Sequence, residues 1–138
     1  MIHSIRISCL KNNLCRVRNF VEGALKQHAI SPIDINLMVL AVDELCANLI
    51  IHSHKCNPKE DIEVSVRKKD NQFVFEIKDE SVPSFDLLSY KEPDMKDIIA
   101  NKRGGGIGLI LVKKIMDEIQ YERNGSANIC RVSKRLAL

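Results

Sequence analysis

The stretch that decides the fold is NKRGGGIGLILVKKIMDEI, from Asn101 to Ile119, which holds four of the six glycines of the chain within five positions. After the glycines, apolar residues recur every three or four positions, which predicts a helix from about Gly106 to Glu118. A glycine-rich turn before a helix exposes backbone N–H groups and the positive end of the helix dipole. Glycine also permits positive φ and a close approach of the main chain to a phosphate. The stretch therefore predicts an anion site, and a flexible hinge is the alternative.

Two common glycine motifs are excluded by the spacing. The pattern G-x-G-x-x-G would need a glycine at Leu109 or Leu111, and the P-loop ending Gly-Lys-Ser/Thr is absent from the sequence. What remains is G-x-G-x-G, formed by Gly104, Gly106 and Gly108. This pattern follows a long irregular segment instead of a strand, so the site differs from a dinucleotide-binding turn.

Composition and charge restrict the class of protein. The 138 residues are 45% hydrophobic and 28% charged, which is typical of one globular domain spanning residues 1–138. A net charge of +3 without a basic block, 4% aromatic residues and no Trp argue against direct binding to nucleic acid. No apolar run approaches the roughly 20 residues that span a bilayer, and the N-terminus lacks a signal-peptide core. We therefore expect a cytoplasmic protein that does not bind membranes.

The cysteines do not suggest a disulfide framework or a zinc ribbon, because the five are scattered and never in C-x-x-C spacing. The segment HSHKC brings His52, His54 and Cys56 close together in sequence. Side chains two positions apart on a helix point about 200° from each other, so the two histidines are not expected to share a metal ion. Packing roles are expected for most of the cysteines.

Hydrophobic periodicity predicts an α/β (α+β) two-layer sandwich, with a mixed, mostly antiparallel sheet of about five strands and three helices on one face. The first two helices are predicted at about residues 13–30 and 33–54, and the second is apolar nearly all round and therefore buried. The predicted strands are IHSIRIS, DIEVSVRKK, QFVFEIKD and a final hairpin with Asn124 and Gly125 at its tip. Residues 80–103 lack a sustained period, apart from a short helix expected near MKDIIAN, and are interpreted as a functional lid.

A polar stripe runs along the second helix. Glu44, Asn48 and His52 stand at i, i+4 and i+8 on an otherwise apolar cylinder. A buried carboxylate is costly without a partner, and two interpretations stay open. The stripe is either a hydrogen-bond network that fixes the helix against its neighbour, or a Mg²⁺ site in which Asn48 supplies an oxygen and Glu44 activates a nucleophile beside the phosphate. Asp43, about 100° round the helix, is expected to support this stripe.

A second candidate residue ends the strand QFVFEIKD. With a period of two, Asp79 points to the same side as Phe73, Phe75 and Ile77. If that side is the core, the Asp79 carboxylate lies at the rim of an apolar cavity and suits an exocyclic amine such as that of adenine. An ordinary Asx-turn at the end of a strand is the alternative.

Three segments in order resemble the motifs of the ATPase superfamily that unites gyrase, Hsp90, sensor histidine kinases and MutL. They are DELCANLIIHSH (43–54), DESVPSFD (79–86) and GGGIGLILVKKIMDEIQY (104–121). Within the superfamily, whose fold is the Bergerat type, the whole chain looks like the short anti-sigma-factor serine/threonine kinases. The resemblance implies Glu44 as the catalytic base, Asn48 as the Mg²⁺ ligand and Asp79 as the adenine acceptor. The implied nucleotide contacts are Asn48, Asp79, Ser81, Gly104, Gly105, Gly106, Ile107, Gly108 and Leu109.

The same resemblance implies the activity and the partners. The cofactors would be ATP and Mg²⁺, and the phosphoacceptor would be a small anti-sigma-factor antagonist protein. The kinase would also sequester a sigma factor and form a homodimer, and Lys91, Lys102 or Arg103 of the lid could meet phosphate charge. The alternatives are a non-catalytic or weakly ATP-binding regulator of the same fold, and an isolated ATPase module of a histidine kinase.

One position departs from the superfamily pattern. After the strand-end aspartate, the pattern usually continues D-x-G, whereas this chain has Ser81 in place of the glycine. A non-glycine residue in left-handed geometry costs roughly 1–2 kcal/mol, which corresponds to about tenfold or more in affinity. Weaker ATP binding, or closure of the lid by a partner, is therefore expected.

Overall fold

A computed structural model of the chain describes residues 2–80 and 104–136, with side chains described only from residue 108 onward in the second segment. The strands are β1 (Ile2–Ser8), β2 (Asp61–Lys69), β3 (Gln72–Glu80), β4 (Glu118–Asn124) and β5 (Ala127–Arg135). The helices are α1 (Leu14–Lys26), α2 (Pro32–Asn48) and α3 (Gly104–Ile115), with a 3₁₀ turn at Lys11–Asn13 and a π-helix at Leu49–Ser53. The predicted sandwich of five strands and three helices is confirmed.

The five strands form one sheet in the order β1-β2-β3-β5-β4, and all four described pairings are antiparallel. Two-residue loops close both hairpins, and these loops use left-handed backbone at Asp70 (φ 55°) and Gly125 (φ 64°). A two-residue loop with left-handed backbone twists in the same sense as the two strands that it joins. The order places β3 at the centre of the sheet, so its last residues lie in the interior instead of at an edge.

The core lies between one face of the sheet and the helices. Alternate residues of β2 and β3 point into it, namely Ile62, Val64, Val66, Phe73, Phe75 and Ile77. Helix α2 packs against both α1 and α3 and occupies the middle of the helical layer. Its own buried residues include Met38, Ala41, Val42 and Cys46, none of which is exposed to solvent. The helix that carries the predicted polar stripe is therefore the central element of the core.

Helix α2 begins with a strong start signal. Ser31 is the N-cap residue, and its hydroxyl accepts a hydrogen bond from the backbone N–H of Asp34 at 3.2 Å. Pro32 follows at the first helical position, where a missing N–H costs nothing. Together with the π-helix, Pro32–Ser53 forms a 22-residue unit that is long and apolar enough to cross a membrane by length and composition. The sequence analysis predicted a helix of this extent, at about residues 33–54, and the packing of its apolar residues in the core accounts for its hydropathy.

The helix bounds differ from the predictions at several ends. Helix α1 ends at Lys26 instead of Ile30, and α3 covers 104–115 instead of 106–118. Helix α3 gives way to β4 at Glu118, because Asp117 binds the end of β5 through its backbone N–H and its carboxylate. Residues 81–103, which include the predicted lid and the short helix near MKDIIAN, lie outside the described residues.

Candidate active site

The site is built around the second half of α2. Glu44 is half-buried there, and its carboxylate lies against Gly108 in α3. A Cβ atom at position 108 would overlap the Glu44 carboxylate, so only glycine leaves room for this contact. Gly108 is the fifth residue of α3 and directly follows the first four, whose backbone N–H groups have no partner within the helix. The Glu44 carboxylate is therefore close to the end of α3 that favours anions.

The surroundings of Glu44 favour a proton acceptor. Burial raises the pKa of Glu44 above its ordinary value, and the negative charge of Asp43 raises it further. A carboxyl group with a raised pKa is better matched to taking up a proton near neutral pH. Asp43 itself pairs with Arg18 of α1 at 3.1 Å, and its expected supporting role stays a prediction.

Asn48 stands four residues after Glu44, so the two lie on the same face of α2, and both are half-buried. Asn48 is the last residue of α2, directly before the π-helix. His52, the third member of the predicted stripe, is exposed. Within the described part of the chain, no group of three His, Cys, Asp or Glu side chains could hold a metal ion. A Mg²⁺ ion held by Asn48 would keep water and phosphate among its ligands, as this cation prefers.

Asp79 points into the core face of the sheet, where it is 3% exposed. One carboxylate oxygen, Oδ2, lies 2.7 Å from Nε2 of His54. The other ring nitrogen, Nδ1, lies 2.7 Å from Oε2 of Glu60. The predicted adenine acceptor is thus held by a histidine that bridges two carboxylates.

Asn128 of β5 lies directly opposite Asp79 in the sheet and is 1% exposed. Its Oδ1 accepts hydrogen bonds from the Tyr121 hydroxyl at 2.8 Å and from Arg123 at 2.7 Å. Its Nδ2 has no hydrogen-bond partner among residues 2–80 and 108–136. A buried amide donor beside a buried carboxylate makes this rim of the core polar in an otherwise apolar layer.

The three motif segments meet along one helical unit. Glu44 contacts Gly108 of the glycine segment, and His54, ten residues later, contacts Asp79 at the end of β3. The negative charge of nearby carboxylates also affects Cys9. The pKa of the Cys9 thiol is raised to about 12, chiefly by burial, and the charges of Glu60, Asp61 and Asp79 add to this effect. The geometry thus combines a half-buried carboxylate, a helix start and a buried hydrogen-bond acceptor.

The glycine segment differs from the predicted turn. The structure places Gly104, Gly105 and Gly106 inside the first turn of α3, so they form helical backbone instead of a separate loop. Ile107 continues this turn, and Gly108 and Leu109 are buried. Because the helix starts two residues earlier than predicted, the anion-binding end of its dipole also lies earlier in the segment. Ser81 lies outside the described residues.

The sequence analysis missed His54, Glu60 and Asn128. His54 stands out in the segment HSHKC, but the helical pattern gave no reason to place its ring in the core, because it lies at the predicted end of the second helix. The signal for Asn128 was its alternation with Cys130 and Val132, which puts an amide on a buried face. Glu60 carried no signal that distinguishes it from a turn residue.

Comparison with known proteins agrees with this geometry. The family model described as "Histidine kinase-like ATPase domain" matches residues 7–134. The chain belongs to this family.

Within the family, the chain is similar to the "Serine-protein kinase RsbW" of Bacillus pumilus (strain SAFR-032). The two are 30% identical over an alignment of 109 residues, and the match covers 70% of this chain and 62% of that protein. The match therefore spans less than two thirds of the length of the relative. This similarity confirms the resemblance to the anti-sigma-factor kinases that the motifs indicated.

Solved structures show the same fold. The RsbU and RsbW domains of Rv1364c from Mycobacterium tuberculosis match 99% of this chain and 32% of that chain, with a TM-score of 0.69 at 16% identity. The SiaB-SiaC complex from Pseudomonas aeruginosa matches 97% of this chain and 89% of that chain, with a TM-score of 0.64 at 10% identity. At these identities the likeness concerns the fold.

Proposed function

We propose that the chain is an ATP-dependent serine/threonine protein kinase of the anti-sigma-factor type. The observation that carries the proposal is the contact between the Glu44 carboxylate and Gly108, because it supports a role for Glu44 as proton acceptor beside the first turn of α3, where phosphate would bind. The similarity to a serine-protein kinase supports the same activity. ATP would be the phosphoryl donor, and the acceptor would be a hydroxyl of a small antagonist protein.

The residues would divide the reaction between them. Asp79 would accept a hydrogen bond from the adenine amine, and the backbone of Gly104, Gly106 and Gly108 would face the phosphates. Asn48 would hold Mg²⁺, a cation that neutralises phosphate charge during transfer. Glu44 would orient the acceptor hydroxyl and take its proton. Most of the rate enhancement would come from positioning and charge neutralisation, as in other phosphoryl transfers.

The partners follow from the same proposal. The protein would sequester a sigma factor as well as phosphorylate the antagonist, and it would act as a homodimer in the cytoplasm. The SiaB-SiaC complex supports protein binding, because a chain of this fold is found there with a partner protein. Direct contact with nucleic acid or membrane is not part of the proposed activity.

The experiment that tests the proposal is transfer of radiolabel from γ-labelled ATP to purified antagonist proteins of the source organism. Wild type should label one of them at a serine or threonine. Glu44→Gln should lose transfer by roughly 10²- to 10⁴-fold, the usual contribution of a positioned proton acceptor, while still binding the antagonist. If wild type binds antagonist but transfers no label, the non-catalytic regulator is the better description.

A further inference from the structure

His54 is a fully enclosed ionisable side chain that the proposed reaction does not use. Its ring is 0% exposed, and it is flanked by Asp79, which is 2% exposed at the side chain, and by Glu60, which is 35% exposed. Both contacts are 2.7 Å long. Such distances are typical of charge-assisted hydrogen bonds.

The chemistry of the two neighbours decides what the ring must do. An ionised carboxylate can only accept hydrogen bonds, and an imidazole ring can donate from both nitrogens only when it is the cation. The His54 ring lies within hydrogen-bond distance of both Asp79 and Glu60 and can donate to Asp79 through Nε2–H. A buried carboxylate without a hydrogen-bond partner is costly, and His54 supplies such a partner to Asp79 in the core.

The backbone is arranged to bring this ring inward. The π-helix ends with bonds from the His54 N–H to the Leu49 carbonyl and from the Cys56 N–H to the Ile50 carbonyl, both 2.8 Å long. Lys55 and Cys56 then adopt left-handed backbone, with φ of 52° and 56°. Two consecutive non-glycine residues in this region are strained, and such strain persists where the surroundings require it.

We propose that His54 is a positioning residue for nucleobase recognition, which fixes the Asp79 carboxylate in its accepting form and thereby selects purines that carry a 6-amino group. The inference rests on the proposed function, in which Asp79 faces the base. An ionised Asp79 offers acceptors only, which match the N–H donors of a 6-amino group and oppose the acceptor of a 6-oxo group. A protonated Asp79 would offer a donor and lose this preference.

The test compares binding of ATP with binding of inosine triphosphate, which carries a 6-oxo group in place of the amine. Full-length wild type should prefer ATP by roughly 10- to 100-fold, the value of one hydrogen bond to a charged group. His54→Leu should reduce this ratio to near one, chiefly by weakening ATP. His54→Gln, which keeps an N–H donor for Asp79, should retain most of the ratio.

Matched variants separate this role from a general loss of folding. Glu60→Gln removes only the outer carboxylate and should lower the ratio less than His54→Leu, and His3→Gln on β1 should leave it unchanged. Thermal melting of each variant without nucleotide shows whether it is folded. If His54→Leu is unfolded, the ratio of the affinities for ATP and inosine triphosphate is compared between His54→Gln and Glu60→Gln instead.

The outcomes are distinguishable. The positioning role is overturned if His54→Gln and Glu60→Gln each weaken the binding of ATP and of inosine triphosphate equally. It is also overturned if folded His54→Leu keeps the wild-type ratio of the two affinities. Neither result contradicts ATP binding by the wild type. Failure of wild type to bind ATP overturns the proposed function, and the positioning role with it. The inference is supported if the preference for ATP over inosine triphosphate is kept in variants with an N–H donor at position 54 and lost in the variant without one.

Discussion

The carboxylate of Glu44 occupies the space that a side chain at position 108 would need. The two residues lie on different helices, α2 and α3, and are 64 positions apart in the sequence. Glycine at position 108 is therefore explained by its neighbour instead of by its backbone conformation, which is helical. The contact couples the proposed proton acceptor to the glycine segment.

Gly108→Ala should lower phosphoryl transfer strongly with little loss of stability. The new methyl group meets the end of a flexible side chain, so Glu44 can swing away at small cost in folding free energy but no longer faces the phosphate site. The control is Gly23→Ala in α1, where a Cβ meets no atom within 4 Å. The control should gain about 0.5–1 kcal/mol of stability and keep full transfer. Thermal melting and radiolabel transfer check both, and normal transfer by folded Gly108→Ala would contradict the role of Glu44.

Glu44→Gln should raise the melting temperature at neutral pH while abolishing transfer. The pKa of Glu44 is raised in the folded protein, so ionisation costs more there than in the unfolded chain. Below the ordinary value of 4.5 the carboxyl is neutral in both states and there is no penalty. As pH rises through the folded pKa, the penalty develops fully. The stabilisation by Gln should therefore be present at pH 7 and shrink toward pH 4, and a gain that is independent of pH would contradict this cause.

Asn48→Ala should remove the part of ATP stabilisation that depends on Mg²⁺. Ligand at about 100 times its Kd stabilises a folded protein by roughly 2.7 kcal/mol, which thermal melting detects readily. Wild type should show a larger shift with ATP and Mg²⁺ than with ATP and a chelator. The variant should show the two shifts nearly equal. A full Mg²⁺-dependent shift in Asn48→Ala would assign the metal to other ligands.

The cysteines should differ sharply in reactivity. Cys15 is exposed, whereas Cys9 and Cys46 are buried with pKa values raised above the ordinary range, chiefly by burial. Because the thiolate is the reactive form, a thiol reagent should modify Cys15 early and reach Cys9 and Cys46 only when the protein unfolds. Peptide mass spectrometry after timed labelling measures this order. Rapid labelling of Cys9 in the native protein would show that the core near β1 opens.

The fold could be predicted from the sequence because its signals are local. Alternation in β2 and β3, the turn residues Asp70 and Gly125, and the cap at Ser31 each depend on neighbours a few residues away. The stripe of Glu44 and Asn48 followed from helical spacing for the same reason. The side of the strand on which Asp79 lies also followed from a period of two.

The remaining part of the site depends on contacts between distant segments. The π-helix after Asn48 and the left-handed residues Lys55 and Cys56 break the helical period, so the inward direction of His54 could not be obtained by continuing it. Glycine likewise predicts a turn from local preference, whereas Gly108 is required by a side chain of another helix. Both features arise from packing that a single segment does not encode.

The continuous helical unit from Glu44 to His54 has a consequence for what the protein can accept. Ten residues separate the two, which at the rise of an α-helix is at most about 15 Å, because the π-helix at Leu49–Ser53 rises less per residue. In the proposed site one end of this rod reads the base and the other meets the group to be transferred. In the proposed site the helix would therefore set the distance between the base and Glu44. A nucleotide with a shorter or longer phosphate chain would bind through its base, but its terminal phosphate would not reach Glu44.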